Sequence, residues 1–306
     1  MIIGQVESFV KRFTPDDDLE FTLDDIGELS PDPVNDTDTF FSIIHPAGYH
    51  RFTQDLAADW PKSYWSRTDE PLRMPPATGK EQIFVSINPI CQRITEADLA
   101  NPKFSGKALS WIAERVASKN RTVAAITTLI RDYDAKDFTD PTPLEIEAQY
   151  QALRADPKNA QSPEKALRNQ AFGNAKSAKF KTNPEHYKAL ALAHVDALTP
   201  APSVVVASGG GYNCYWLLDE PLAIRTHEHD YSHHVTSYAA DIQKRWVHMD
   251  ARADQGVNDI RRILRPVGTK NRKPAYGPKF PVVSFVKKDF DLRYSLADLV
   301  KLLPEV

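Results

Sequence analysis

The chain has little cysteine, and its 306 residues include no apolar run long enough to cross a membrane. Its two cysteines, Cys91 and Cys214, are far apart and in no metal-ligand spacing, which argues against a cysteine zinc site. So few thiols are typical of a reducing compartment. The first residues lack a signal-peptide pattern, and no P-loop motif for a helicase is present. We therefore expect a cytoplasmic protein with no membrane partner.

The net charge is only −3, but one segment of the chain has no basic residue and another has no acidic residue. Residues 14–39 contain ten Asp and Glu and no Lys or Arg, whereas residues 260–279 contain seven Lys and Arg and no acid. A solvated acidic arm is the simplest interpretation of the first segment. The second segment can meet phosphates, because electrostatic fields in salt are local.

The hydrophobic patterns predict a mixture of strands and helices. We predict strands over 40–44, 81–89, 121–134 and 281–288, and helices over 105–120, 183–200, 231–249 and from 295 onwards. The pattern weakens over 139–183, where we expect weak helices in a mobile, mildly basic insertion. Residues 203–222 read as a strand hairpin that is interrupted by glycines.

The hairpin carries Ser208, then Gly209, Gly210 and Gly211, and Asn213 two residues further on. Glycine has no Cβ, so three glycines in succession allow the backbone to come very close to another group. The turn is therefore a candidate for close approach to a ligand.

Paired carboxylates stand at the end of the strand predicted over 121–134. Asp132 and Asp134 are two residues apart, and alternation along a strand places both on one face. Neighbouring carboxylates repel unless a cation shares them, and oxygen ligands suit Mg²⁺ or Mn²⁺. Asp259 is the candidate for a third carboxylate, with Asp254 and Asp250 as weaker alternatives. The competing interpretation is that Asp ends strands and begins turns.

The basic segment begins at Asp259 with the sequence DIRRILRPVGTKNRK. Arg262 and Arg265 are three residues apart, so on a helical turn they would share a side and could clamp phosphates. Lys273 follows beyond a Pro-Val-Gly-Thr turn. The alternative is a solvated basic face.

A histidine-rich stretch, HEHDYSHH, lies at 227–234. His229 and His233 are one helical turn apart and could pair on zinc. No carboxylate or third ligand has a compelling spacing to this pair, so an exposed helix start is the favoured interpretation.

Taken in order, the motifs are a strand with D-x-D, a strand that ends in Ser-Gly-Gly-Gly, and D-x-x-R-x-x-R-x-x-G-T-x-N-x-K. This order resembles the phage- and plasmid-type primase-polymerase catalytic domain of the archaeo-eukaryotic primase superfamily, from about residue 83 to 273. The resemblance implies an α+β fold in which an RNA-recognition-like sheet is joined by a second packed α/β lobe. It divides the chain into an acidic arm and accessory region (1–80), a catalytic core (81–290, with 139–183 as an insertion) and a C-terminal helix (291–306). That helix would lead to a helicase region if the chain is a fragment.

The resemblance also implies roles for particular residues. Asp132, Asp134 and Asp259 would be catalytic and would hold the metal. The nucleotide-binding residues would be Ser208, Gly209, Gly210, Gly211, Asn213, Arg262, Arg265 and Lys273. Asn213 departs from the family, which has histidine at this position. Because the amide stays neutral, the exchange would weaken nucleotide binding by about 1–2 kcal/mol.

The activity implied by the resemblance is that of a DNA primase or DNA-directed polymerase, a template-dependent nucleotidyltransferase of DNA replication. It would use Mg²⁺ or Mn²⁺, nucleoside triphosphates and a single-stranded DNA template with its primer, beside a fused or separate replicative helicase. Such a protein would be phage- or plasmid-encoded and would act in the host cytoplasm. Two alternatives stay open: a catalytically weak or inactive primase-like protein that binds single-stranded DNA, and a metal enzyme that acts on a nucleotide sugar.

Overall fold

The computed structural model describes residues 36, 40–41, 44, 49–55, 62–67, 82–89, 100–106, 123–224, 233–273 and 276–304. The strands are β1 (Tyr49–Asp55), β2 (Lys62–Arg67), β3 (Gln82–Ser86), β4 (Ala125–Asp134), β5 (Val204–Ala207), β6 (Gly211–Ala223), β7 (Ile263–Leu264) and β8 (Ser284–Lys288). The helices are α1 (Pro143–Ala155), α2 (Glu164–Thr182), α3 (Pro184–Asp196), α4 (His233–His248) and α5 (Leu296–Lys301).

The strands form two four-stranded sheets in which neighbouring strands are antiparallel. The first sheet has the order β2-β1-β3-β7, and the second has the order β4-β6-β5-β8. The predicted α+β class is therefore confirmed. None of the helices in the described ranges is long and apolar enough to span a membrane.

The central part of the second sheet, formed by β4, β5 and the first half of β6, is buried on both faces, which explains why these stretches are largely apolar. Val204 and Val206 pack in the core shared with the first sheet, whereas Val205 lies in the core shared with the helices. Strand β6 alternates in the same way, with Tyr215 and Leu217 on the side of the first sheet. The helical side is covered by α3, α4 and α5. The second sheet is thus a rigid middle layer.

Most of the predicted elements are confirmed. The predictions over 81–89, 121–134 and 281–288 correspond to β3, β4 and β8, and the hairpin corresponds to β5 and β6. The helices predicted over 183–200, over 231–249 and from 295 correspond to α3, α4 and α5. The acidic arm, His229 and most of the helix predicted over 105–120 lie outside the described residues.

The strand predicted over 40–44 is wrong. Phe40, Phe41 and Ile44 have helical backbone and are almost fully buried. Buried residues at i, i+1 and i+4 share one side of a helix, so an apolar run this short fits either structure. Phe40 packs edge-on against Tyr215 of β6, with 5.0 Å between the ring centroids, and this contact decides in favour of the helix.

Residues 139–183 form well-developed helices rather than the weak ones that we predicted. Helix α1 begins with a capping box in which Thr142 and Glu145 bond reciprocally. Helix α2 extends over 19 residues and buries Leu167, Ala171 and Ala175. Two of these three are alanines, which have high helix propensity but little hydrophobicity, and this is why the pattern is faint in the sequence.

Arg131, just before the carboxylate pair, anchors β4 to the helices behind it. Its side chain is only 5% exposed, and its guanidinium lies 5.1 Å from the ring of Trp216 and 4.4 Å from that of Trp246. Its Nε donates to the carbonyl oxygen of Trp246 at 2.8 Å. The charge is therefore held by two aromatic faces and a carbonyl group.

We expect Arg131→Ala to lower the free energy of unfolding by about 2–4 kcal/mol, because it removes the stacking, the packing and a buried hydrogen bond together. Urea titration measures the loss. Arg154→Ala, at an exposed position of α1, is the control and should show no measurable change. Equal stability of the two variants would contradict the anchoring role.

Candidate active site

The predicted carboxylate pair lies at the end of β4, in the edge strand of the buried sheet. Asp132 and Asp134 are half-buried, and the intervening Tyr133 is fully buried among the helices. This alternation places both carboxylates on one face and Tyr133 on the other. The hydroxyl of Tyr133 donates to Asp250 at 2.9 Å, which holds the strand end from behind.

Electrostatics at the pair disfavour two negative charges. The pKa of Asp132 is raised from its ordinary 3.8 to about 7, mainly by burial and also by the neighbouring charges of Asp134 and Asp254. Lys273 and Lys136 oppose this rise. A carboxylate crowded in this way gains from a nearby cation. Lys136 supplies one, since its Nζ lies 2.5 Å from Oδ2 of Asp134.

Asn213 lies directly opposite Asp132 in the pairing of β6 with β4. Its side-chain amide donates to Oδ1 of Asp132 at 2.8 Å, and the residue is only 2% exposed. The amide nitrogen is therefore engaged with the carboxylate pair. The second N–H of this amide group is not used by that bond.

We expect Asn213→Ala to act through Asp132, because the buried carboxylate loses its donor. Divalent-metal affinity and kcat should each fall by about ten-fold, while the nucleotide KM stays close to that of the parent. Steady-state incorporation kinetics, titrated with Mn²⁺, separate these quantities. A raised nucleotide KM with an unchanged metal requirement would instead show that Asn213 contacts the phosphates.

The Ser-Gly-Gly-Gly turn joins β5 to β6 and is held by its own hydrogen bonds. The backbone N–H and the hydroxyl of Ser208 both donate to the carbonyl oxygen of Gly211, at 2.9 and 3.2 Å. Gly209 has a φ of +92°, which favours glycine. Asn271 donates to the carbonyl oxygen of Ser208 at 2.6 Å, so the basic segment and the turn are joined.

The other two glycines approach protein groups very closely. A Cβ on Gly211 would lie 1.9 Å from the carbonyl oxygen of Tyr133 and 2.9 Å from the Cα of Asp134. A Cβ on Gly210 would lie 2.1 Å from the hydroxyl of Tyr276. The turn therefore holds the backbone of the carboxylate pair on one side and Tyr276 on the other.

The segment after Asp259 is not helical, which corrects our expectation for its arginines. Ile263 and Leu264 form β7, which pairs with β3 in the first sheet. Arg262 and Arg265 flank this two-residue strand instead of sharing one side of a helical turn. Arg262 forms an ion pair with Asp259 at 2.9 Å. Arg265 bonds to Gln82 and lies over the ring of Phe84.

Asp254 is the acid that the structure connects most directly to the pair. Its backbone N–H donates to the carbonyl oxygen of Asp132 at 2.7 Å, and its charge raises the pKa of Asp132. Asp259 is not among the charges that act most strongly on Asp132. In the described part of the chain, no three His, Cys, Asp or Glu side chains are grouped so that they could hold a metal ion. Asp132 and Asp134 therefore fit a divalent cation in donor type, without a third protein ligand grouped beside them.

A cavity of about 290 Å³ opens beside the pair. Asp134 and Gly210 form part of its wall, together with Tyr276. The cavity is also lined by four lysines: Lys136, Lys181, Lys188 and Lys273. Of these only Lys273 was predicted. Lys181 and Lys188 come from α2 and α3, and no motif in the sequence distinguishes them from other surface lysines.

Comparisons with known proteins leave the family of this chain open. No protein-family model and no curated protein matches it. Among solved structures it is similar to one described as "Crystal structure of primase RepB'", with 10% sequence identity and a TM-score of 0.37. The match covers 87% of this chain and 59% of the other, so it spans less than two thirds of that protein. At this TM-score the likeness carries no functional argument, and function must be inferred from the chain's own residues.

Proposed function

We propose that this protein is a template-dependent nucleotidyltransferase of DNA replication, acting as a primase, a DNA polymerase or both. The observation that carries the proposal is that Asp134, one member of the crowded carboxylate pair, lines a cavity together with four lysines. The carboxylates can bind a divalent metal, and the neighbouring lysines can bind phosphates. Together they suit a metal-bound triphosphate. The order of the sequence motifs supports the same activity.

In this proposal Asp132 and Asp134 hold Mg²⁺ or Mn²⁺, which would activate the attacking 3′-hydroxyl and neutralise the leaving pyrophosphate. Asn213 keeps the Asp132 carboxylate in position through its 2.8 Å hydrogen bond. Lys273 provides positive charge for the phosphates. Asp254 is better placed than Asp259 to add a third negative charge, because Asp259 is already paired with Arg262.

Incubation of the protein with labelled nucleotides, Mg²⁺ or Mn²⁺, and primed or unprimed single-stranded DNA tests the proposal. Metal-dependent incorporation that follows the template sequence is the expected result. Products on the unprimed template would indicate priming, and products on the primed template alone would indicate a polymerase. If no nucleotide is incorporated under any of these conditions, the proposal is wrong.

A second candidate is a catalytically weak or inactive primase-like protein that binds single-stranded DNA. The observation that favours it is the internal neutralisation of the pair, since Lys136 lies 2.5 Å from Asp134 and Asn213 bonds to Asp132. This protein would bind single-stranded DNA in a salt-dependent way and incorporate nothing. Fluorescence anisotropy with a labelled oligonucleotide, beside the incorporation assay, separates the two candidates.

A further inference from the structure

The junction of α2 and α3 forms a wall of the cavity beside the carboxylate pair. Lys181 lies in the last turn of α2, and Lys188 lies in the second turn of α3. Pro184 is the first residue of α3, and Asn183 caps that helix by accepting from the N–H of His186. The single residue Asn183 separates the two helices, and Lys181 and Lys188 on either side of it line the same cavity.

The cavity has an excess of positive charge. Lys136 is paired with Asp134, and Lys188 is paired with Glu185 at 2.9 Å. Lys181 and Lys273 form no ion pair with any residue that the structure describes. Among the lining residues that the structure describes, Asp134 is the one acid. Lysines that converge on a small volume repel one another, and an anion between them would remove that repulsion.

The size and the walls of the cavity limit the kind of anion. A volume of about 290 Å³ is at the lower end for small-molecule sites, enough for part of a nucleotide. Phe180, Pro184 and Tyr276 give the same cavity an apolar side. A strand of nucleic acid needs an extended groove that follows its backbone, whereas the phosphates of a triphosphate are consecutive and need converging cations.

We propose that Lys181 and Lys188 bind the polyphosphate chain of a nucleoside triphosphate. The proposal deepens the proposed function and rests on it for the identity of the nucleotide; the binding of polyphosphate itself does not depend on catalysis. It gives the α2–α3 junction, which the sequence presents as part of an insertion, a direct part in substrate binding. Each lysine contributes a charge-assisted hydrogen bond to a phosphate oxygen.

The test uses inorganic tripolyphosphate as the probe, with the full chain, in EDTA and at low salt. Isothermal titration calorimetry compares the parent with Lys181→Ala, Lys188→Ala and the double variant. The matched control is Lys165→Ala, which removes an exposed lysine from the same helix α2, away from the cavity. We expect each cavity variant to weaken tripolyphosphate binding by about ten-fold, and the control to leave it unchanged.

Three results would overturn the inference. The first is no measurable tripolyphosphate binding by the parent, and the second is a loss of affinity in Lys165→Ala as large as that in the cavity variants. The third is a 5′-phosphorylated oligonucleotide that binds this site as tightly as tripolyphosphate. If tripolyphosphate binding depends on Lys181 and Lys188 but no nucleotide is incorporated, the inference stands and the proposed function fails. If nucleotides are incorporated and the double variant keeps the parental nucleotide KM, the proposed function stands and the inference fails.

Discussion

Replacing Asp132 or Asp134 with asparagine should reduce metal-dependent nucleotide incorporation by about a thousand-fold or more. Asparagine has nearly the same shape as aspartate but cannot supply the negative charge that holds a divalent cation. Primer extension with Mg²⁺ and with Mn²⁺ measures the loss. Asp137→Asn is the matched control: Asp137 follows the pair closely but forms an ion pair with Lys176, 2.9 Å away, so activity should be retained.

Stability should respond in the opposite direction from activity in Asp132→Asn. The folded protein raises the pKa of Asp132, so the ionised carboxylate is less favourable in the fold than in the unfolded chain. Removing the charge should therefore leave the thermal midpoint at pH 8 in EDTA unchanged or higher. The new side-chain oxygen can still accept the hydrogen bond from Asn213. Parental primer extension by either asparagine variant would contradict the assignment of the pair.

Gly211→Ala should be the most damaging single-methyl change in the hairpin. The new Cβ would meet the carbonyl oxygen of Tyr133 at 1.9 Å and the Cα of Asp134 at 2.9 Å. Both are backbone atoms in a sheet that is buried on both faces, so neither can move aside without breaking the pairing of β4 with β6. We expect a loss of about 3 kcal/mol or more in the free energy of unfolding, measured by urea titration.

Two other glycines provide comparisons for Gly211→Ala. Gly210→Ala should cost less, since its Cβ would meet the Tyr276 hydroxyl, which is the end of a side chain that can rotate. Gly173→Ala, inside α2, meets nothing within 4 Å and should stabilise the protein by about 0.5–1 kcal/mol. If Gly211→Ala is no worse than Gly210→Ala, the close approach of the turn to β4 does not limit the hairpin.

The sequence by itself determined the middle layer of the fold and the position of the carboxylate pair on it. Longer β-branched and aromatic runs bounded by turn residues favour strands with two apolar faces, so β4, β5 and β6 were predictable from local patterns. The same is true of α3 and α5, whose caps, Asn183 and Ser295, are visible in the sequence. The shared face of Asp132 and Asp134 follows from strand alternation alone.

Only the tertiary structure decided what surrounds the pair. Asn213 bonds to Asp132 because the register of β6 places them opposite each other, and register depends on the whole sheet. Lys181 and Lys188 line the cavity because the packing of α2 and α3 brings them near the end of β4, which no local pattern indicates. The spacing of Arg262 and Arg265 suits a helix, yet the two residues between them pair with β3 as a short strand, and the arginines have different partners. Contacts between residues distant in the sequence outweighed local preference at each of these positions.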